Sequence, residues 1–253
     1  MARIIAVDNQ KGGVGKTTTT INLGAALAEK NQRTLIVDMD PQAALTAAYG
    51  IDPTALEKTI YHVLLAQELD VDSVIHHQVR PNLNILPANI DLAGAEVELV
   101  AHVGWEYLLK EALLSVQDEY DFILIDCGPS LGLLTINSLT AATEVLVPLL
   151  CEFLALRGMG ILFDTIRRVR KKTNPRLRVL GIVITLFDGR TLHSREVLEE
   201  IRSMFGDNVF KTPIRKSIRF AESAAAHMPM HEYAPHHAGA DAYRLLAEEV
   251  LAR

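Results

Sequence analysis

Near its start the chain reads NQKGGVGKTTTT, Asn9 to Thr20, between a β-branched apolar run and a helical pattern. Gly12, Gly13 and Gly15 let the backbone curl with its N–H groups pointing inward, Lys16 adds a mobile ammonium, and the following helix contributes the positive end of its dipole. This is the chemistry of a phosphate cradle, and the Thr17 hydroxyl stands where such loops offer a ligand to Mg2+. The usual spacing G-x-x-x-x-G-K-[ST] is not kept, because the position five before Gly15 is Gln10; a second lysine, Lys11, opens the loop instead. A glycine-rich turn with a solvated lysine is the competing reading; the agreement of strand, glycines, Lys-Thr and helix weighs against it. Carboxylates follow two later apolar runs. LIVDMDPQ ends on Asp38 and Asp40, of which one is expected to face the phosphates while the other braces the loop, unless both are loop caps. YDFILIDCGPS carries four apolar residues directly into Asp126, and a carboxylate at the end of a buried strand is costly unless a cation sits beside it.

Elements must bring these groups together. Short apolar runs at Ile4–Val7, Leu35–Val37, Leu83–Leu86, Phe122–Ile125, Val145–Val147 and Val179–Ile184 read as strands buried on both faces. Helical patterns lie between and after them, at Thr18–Lys30, Asp91–Val116, Leu131–Ala142, Gly158–Lys172, Ser194–Phe205 and Ala240–Ala252. Repeated βα units predict an α/β fold with a doubly wound, mostly parallel sheet flanked by helices, and ligands at the carboxyl ends of its strands. No repeat, low-complexity tract or linker divides residues 1–253, so one domain is expected.

Composition narrows the class. Hydrophobic content of 49% with 22% charged residues fits a globular chain with a large core. The most apolar stretch, Leu131–Leu150, is broken by Asn137, Glu144 and Pro148, so no membrane span is expected, and MARIIAVDNQ lacks the form of a secretory signal. A cytoplasmic protein is expected, with Cys127 and Cys151 as buried free thiols. The net charge of −6 conceals an asymmetry: Ile161–Phe220 holds 14 Lys/Arg against 6 Asp/Glu, a local +8 that leaves −14 for the rest. Such a segment is a candidate polyanion footprint. Four of nine histidines, His227, His231, His236 and His237, fall within eleven residues; without cysteines or fixed helical spacing they read as loop histidines rather than a metal site.

KGGVGKTTTT resembles the deviant Walker A motif of the ParA/MinD group of P-loop ATPases, whose signature is the extra lysine, here Lys11. The resemblance implies ATP or ADP with Mg2+ as cofactors. It also implies a homodimer in which two subunits sandwich two ATP molecules and Lys11 reaches the partner's nucleotide, much as an arginine finger would. The implied nucleotide-binding set is Lys11, Gly12, Gly13, Val14, Gly15, Lys16, Thr17 and Thr18, with Pro213. DMDPQ resembles switch I, in which Asp40 orients the attacking water; Lys11, Lys16 and Asp40 are then the catalytic set. Thr17, Asp40 and Asp126 form the implied metal set, Asp126 in the Walker B place. CGPSLG resembles switch II, with Gly128 where the family more often carries the first of two prolines.

Further along, VLVPLLCEFLALRGM resembles a segment of the small, Soj-type chromosome-partitioning ParA proteins, with Cys151 at their usual cysteine position. TLFDGRT matches their stretch with a DNA-contacting arginine, here Arg190. TPIRKSIRFAES matches another, with Arg219 in that role and Arg215 and Lys216 beside it. Tyr233, Pro235 and GADAYRLLAEEV match the family's closing loop and helix. Departures are the alanines of DPQAALTAAYG and the altered loop RFAESAAAHMPMHEYAPHH, which bear on switch I and on adaptor contacts. The family implies an ATP-dependent switch that binds double-stranded DNA nonspecifically, associates with the nucleoid, hydrolyses ATP slowly by itself and faster with a ParB-like adaptor, and segregates chromosome or plasmid DNA. The same switch positioning a protein cargo over the nucleoid is the alternative, and a metabolic ligase or reductase is the rival from another class.

Overall fold

A computed structural model describes residues 1–66 and 69–253, the side chains of 153–158 excepted. The strands are β1 (Arg3–Val7), β2 (Thr34–Met39), β3 (His76–Arg80), β4 (Leu83–Leu86), β5 (Phe122–Cys127), β6 (Glu144–Leu150) and β7 (Arg178–Thr185). They form one sheet in the order β3-β4-β2-β5-β1-β6-β7. All neighbours pair in parallel except β3, which runs antiparallel to β4 at the edge. β3 is the strand the sequence does not announce. Its residues HHQVR are polar and partly exposed, whereas a continuous apolar run marks only strands covered on both faces.

The helices, in chain order, are α1 (Lys16–Glu29), α2 (Ala44–Ala48), α3 (Ile60–Leu65), α4 (Leu92–Leu99), α5 (Leu108–Leu114), α6 (Leu133–Ala141), α7 (Phe153–Lys172), α8 (Leu192–Phe205), α9 (Arg219–Ala225), α10 (Met230–Tyr233) and α11 (Ala238–Leu251). Strand alternation sends Ile4 and Ala6 of β1 into a core shared with α3 through α8, and Ile5 and Val7 into one shared with α1, α2 and α9 through α11. The result is the doubly wound three-layer α/β arrangement the pattern predicts.

The expected single helix Asp91–Val116 is two. Between α4 and α5 Gly104 adopts φ 74, and a short 3-10 turn, Trp105–Tyr107, re-aims the chain. Buried Asn137 of α6 holds the break: its Nδ2 donates to the Trp105 carbonyl at 2.8 Å and its Oδ1 accepts from Leu109 N–H at 3.2 Å. Periodicity alone cannot see a cap that arrives from another helix.

The first helix leaves the phosphate loop tight against the sheet. A Cβ on Gly24 would stand 2.8 Å from Ile36 Cγ2, inside the contact limit. Gly24→Val is therefore expected to lower stability by about 1–3 kcal/mol through overpacking, measured by urea titration. Gly24→Ala, which gains about 1 kcal/mol of helix propensity, should lose less.

Candidate active site

The loop after β1 hangs from the ends of the two strands beyond it. Asn9 donates its Nδ2 to the Pro148 carbonyl of β6 at 2.7 Å and accepts Lys11 N–H on Oδ1 at 3.0 Å. Thr185, the last residue of β7, donates its hydroxyl to the Val14 carbonyl at 2.7 Å. Gly13 and Gly15 take φ of 73° and 85°, the left-handed region that side chains disfavour. Helix α1 then opens with no side-chain cap, so the N–H groups of its first turn, which holds Lys16, Thr17 and Thr18, are left for an anion. Lys16 is buried, and its ammonium donates to the Asn9 and Lys11 carbonyls at 2.8 and 3.2 Å. Both acceptors are neutral, and among the described residues no direct ion pair compensates its charge.

Carboxylates collect at the same end of the sheet. A spacing of two would put Asp38 and Asp40 on one face of a continuing strand. β2 ends at Met39, and the turn that follows separates their roles. Asp38 is fully buried and braces the loop: it accepts Thr46 N–H at 2.9 Å, Thr46 Oγ1–H at 2.7 Å and Asp40 N–H at 3.2 Å. Burial raises its pKa to about 6 despite those bonds. Asp40 is half-buried; one oxygen accepts Gln42 N–H at 3.0 Å, and the carboxylate lies against Gly128. Asp126 is fully buried. Thr20 donates to its Oδ1 at 3.3 Å and the Thr17 hydroxyl lies alongside, while Oδ2 has no partner. Burial, then the charge of Asp38, pushes its pKa well above the carboxylate range. A buried oxygen without a donor, beside a threonine hydroxyl and a phosphate loop, suits a hard divalent cation.

The loop after β5 closes this end, with Pro129 against Gly12 and Gly128 against Asp40. Lys11 turns outward, half-exposed, and pairs with Glu152 at the start of α7. Pro213 sits at the same sheet end, next to Ile214, whose N–H bonds the Ile184 carbonyl of β7 at 2.8 Å.

The four expected DNA contacts are exposed. The loop after β7 lies beside segment 214–216, where Phe187 and Arg215 bridge and Lys216 N–H bonds the Phe187 carbonyl. Together they form a cleft of about 290 Å³ lined by Arg190, Arg215, Lys216, Phe187, Asp188 and Gly189. Arg190 pairs with Asp188 at 2.9 Å and holds that carboxyl down at about 2. Arg219 opens α9 apart from the cleft lining and pairs with Glu222 at 2.9 Å. Two of these histidines do structural work: His227 bonds the Ala47 carbonyl at 2.8 Å and His237 caps α11. No metal-capable group of three ligands occurs among the described residues. Cys127 and Cys151 are buried and free. The segment Val145–Met159 falls partly on side chains outside those described.

Several participants escape sequence reasoning. Thr46, eight residues after Asp38, and Thr185, far along the chain, read as ordinary threonines until the fold brings them to Asp38 and Val14. Asp8, next to the loop motif, is fully buried and neither oxygen has a hydrogen-bond partner. Burial raises its pKa to about 7, the Lys16 ammonium opposing.

Residues 2–179 match the family model described as an AAA domain. Over 252 residues the chain is 46% identical to the sporulation initiation inhibitor protein Soj of Bacillus subtilis, covering 100% of this chain and 99% of that protein. It is 45% identical to the chromosome-partitioning ATPase Soj of Treponema pallidum, covering 100% and 98%. Among solved structures it is similar to one described as a cobyrinic acid a,c-diamide synthase of Mycobacterium smegmatis with bound ATP analog and magnesium. There the TM-score is 0.86 and identity 43%, over 99% of this chain and 95% of that one.

Asp8 generates a pH dependence of stability. Its carboxyl holds a proton more tightly folded than unfolded, so the stability it contributes is greatest in acid and is lost as pH rises through about 7. Asp8→Asn should stabilise the chain increasingly between pH 5 and 8, by about 2–3 kcal/mol across that window, in paired denaturant titrations. A difference independent of pH would show that Asp8 is ionised throughout.

Proposed function

This chain belongs to the ParA/Soj family of partitioning ATPases, and from that premise we propose that it is an ATP-dependent dimerising switch that holds DNA. As a partitioning ATPase it hydrolyses ATP, with ATP or ADP and Mg2+ as its cofactors. The observation that carries the finer reading is the division between its two loop lysines: Lys16 is folded into the cradle, while Lys11 stands outside it on Glu152.

Loop N–H groups and the Lys16 ammonium bind the phosphates. Thr17, Asp126 and Asp40 would hold Mg2+, which when bound would neutralise charge on the transferred phosphoryl group. Asp40 orients the attacking water, and the Asp38–Thr46 brace sets where Asp40 stands. Lys11 leaves Glu152 to meet the nucleotide of a second copy, so full catalysis waits for the dimer and turnover by the isolated chain is slow. Thr18 and Pro213 complete the nucleotide contacts. Arg190, Arg215, Lys216 and Arg219 grip phosphates of double-stranded DNA without reading bases, and two copies on one duplex multiply weak contacts. The acidic remainder of the chain, −14, suits a basic peptide from a ParB-like adaptor that speeds hydrolysis and releases DNA. No helix among the described residues is long and apolar enough to cross a membrane, which fits a cytoplasmic, nucleoid-associated protein. The cargo is chromosome or plasmid DNA; a protein assembly carried by the same switch would differ only in its adaptor.

DNA co-sedimentation with ADP, ATP and a slowly hydrolysed analogue tests this. Wild type should bind DNA with ATP and not with ADP. Lys16→Ala should lose nucleotide and DNA together. Lys11→Ala and Asp40→Ala should keep ATP but lose turnover at least tenfold, and Arg219→Glu should keep ATP while losing DNA. Equal binding in ADP and ATP would overturn the switch, and turnover that depends on a small molecule and not on DNA would replace it by the metabolic ligase or reductase.

A further inference from the structure

The last turns of α7 and the turn into β7 read RRVRKKTNPRLR. α7 buries Leu162, Ile166 and Val169 against the sheet. Helical spacing places Arg168 and Lys171 on the opposite, solvent side, with Arg170 and Lys172 at the two flanks and Arg176 in the turn that follows. All five are exposed. Carboxylates nearby are already engaged: Asp164 by Arg167, and buried Glu144 by Arg3 and Arg178. Among the described residues none of the five makes an ion pair, in contrast to Arg190 and Arg219.

This cluster is far from the cleft described above. β7 begins at Arg178, beside the cluster, and ends at Thr185 against the phosphate loop, seven residues later. That is about 23 Å of extended chain. α7 also packs on the sheet face opposite α9, which carries Arg219. The helix dipole favours cations in the last turn, which accounts for Arg170, Lys171 and Lys172, but not for Arg168 or Arg176. Packing Arg168 and Lys172 one turn apart is repulsive in the isolated chain.

We infer that the C-terminal end of α7 with the turn into β7 is a second nucleic-acid surface, which takes the phosphate backbone of a further DNA duplex while the first is held at the phosphate-loop end. The occupant follows from the chemistry. Guanidinium groups suit phosphate oxygens. No large apolar side chain between Arg167 and Arg178 is exposed, which removes the anchors a membrane surface or a peptide would need. There is also no aromatic in that stretch on which single-stranded bases would stack. The choice of duplex DNA rests on the function proposed above; the site is separate from its residues. Each protomer would then bridge two duplexes.

The test uses the full chain with ATP and a slowly hydrolysed analogue, DNA immobilised on beads, and a second, labelled duplex in solution. The variants are Arg168→Gln/Lys171→Gln/Arg176→Gln and the charge-keeping Arg168→Lys/Arg176→Lys, both checked by thermal melting. The triple variant should hold bead DNA within twofold of wild type, keep its ATPase rate, and capture the second duplex at least tenfold less. Binding of that duplex to wild type should weaken with salt more steeply than binding to the triple variant, by a slope of about 3 in log K against log salt. The lysine variant should capture as wild type does. Unchanged capture by the triple variant, or loss of bead binding together with capture, overturns the second surface. So does a wild type that holds bead DNA and captures nothing. A wild type that binds no DNA in any nucleotide state overturns the proposed function itself.

Discussion

Three carboxylates, Asp8, Asp38 and Asp126, are buried at the ends of the adjacent strands β1, β2 and β5, and the organisation of the site follows from how each is compensated. Burial penalises the ionised form unless hydrogen bonds or cations replace water. Asp38 is met by Thr46 and the Asp40 amide. Asp126 is met on one oxygen, and Asp8 on neither. The Lys16 ammonium opposes the raised pKa of both. A sheet end of this kind is stable when it keeps protons or gains positive charge, and the two demands meet where a metal-bound triphosphate would dock.

The same burial ties three loops together. Pro129 lies beside Gly12, Gly128 lies beside Asp40, and Asp38 holds Thr46, whose hydroxyl accepts Ala88 N–H at 3.0 Å. The loops after β1, β2 and β5 thus form one contact network around the phosphate cradle. A change in charge at the cradle bears on Asp40 through both neighbours. This is a physical route from the charge at the cradle to the position of the Asp40 carboxylate.

Charge is distributed in the same spirit. Two basic clusters lie at the two ends of β7, one in the cleft beside the phosphate loop and one on α7 and the turn after it. In the cleft, Arg190 sits in an exposed local ion pair, as does Arg219 on α9; such pairs are weak and exchange readily for phosphate. Among the described residues Arg168, Arg170, Lys171, Lys172 and Arg176 have no such partners, so a polyanion there would displace only counterions.

Much of this was legible in the residues. Apolar runs located six of seven strands, the glycine pattern with Lys16 and Thr17 marked the cradle, and carboxylates at strand ends marked Asp38, Asp40 and Asp126, because each is a local pattern with a local physical cause. Strand β3 was not legible, since an edge strand needs no apolar face. Nor was the break after α4, which depends on Asn137 reaching in from α6. Only the tertiary structure brought Thr46 and Thr185 to the site, left Asp8 unpartnered, and turned Lys11 to Glu152. Those outcomes depend on which strand ends become neighbours and on what is excluded from water between them, and neither is written in any short stretch of chain.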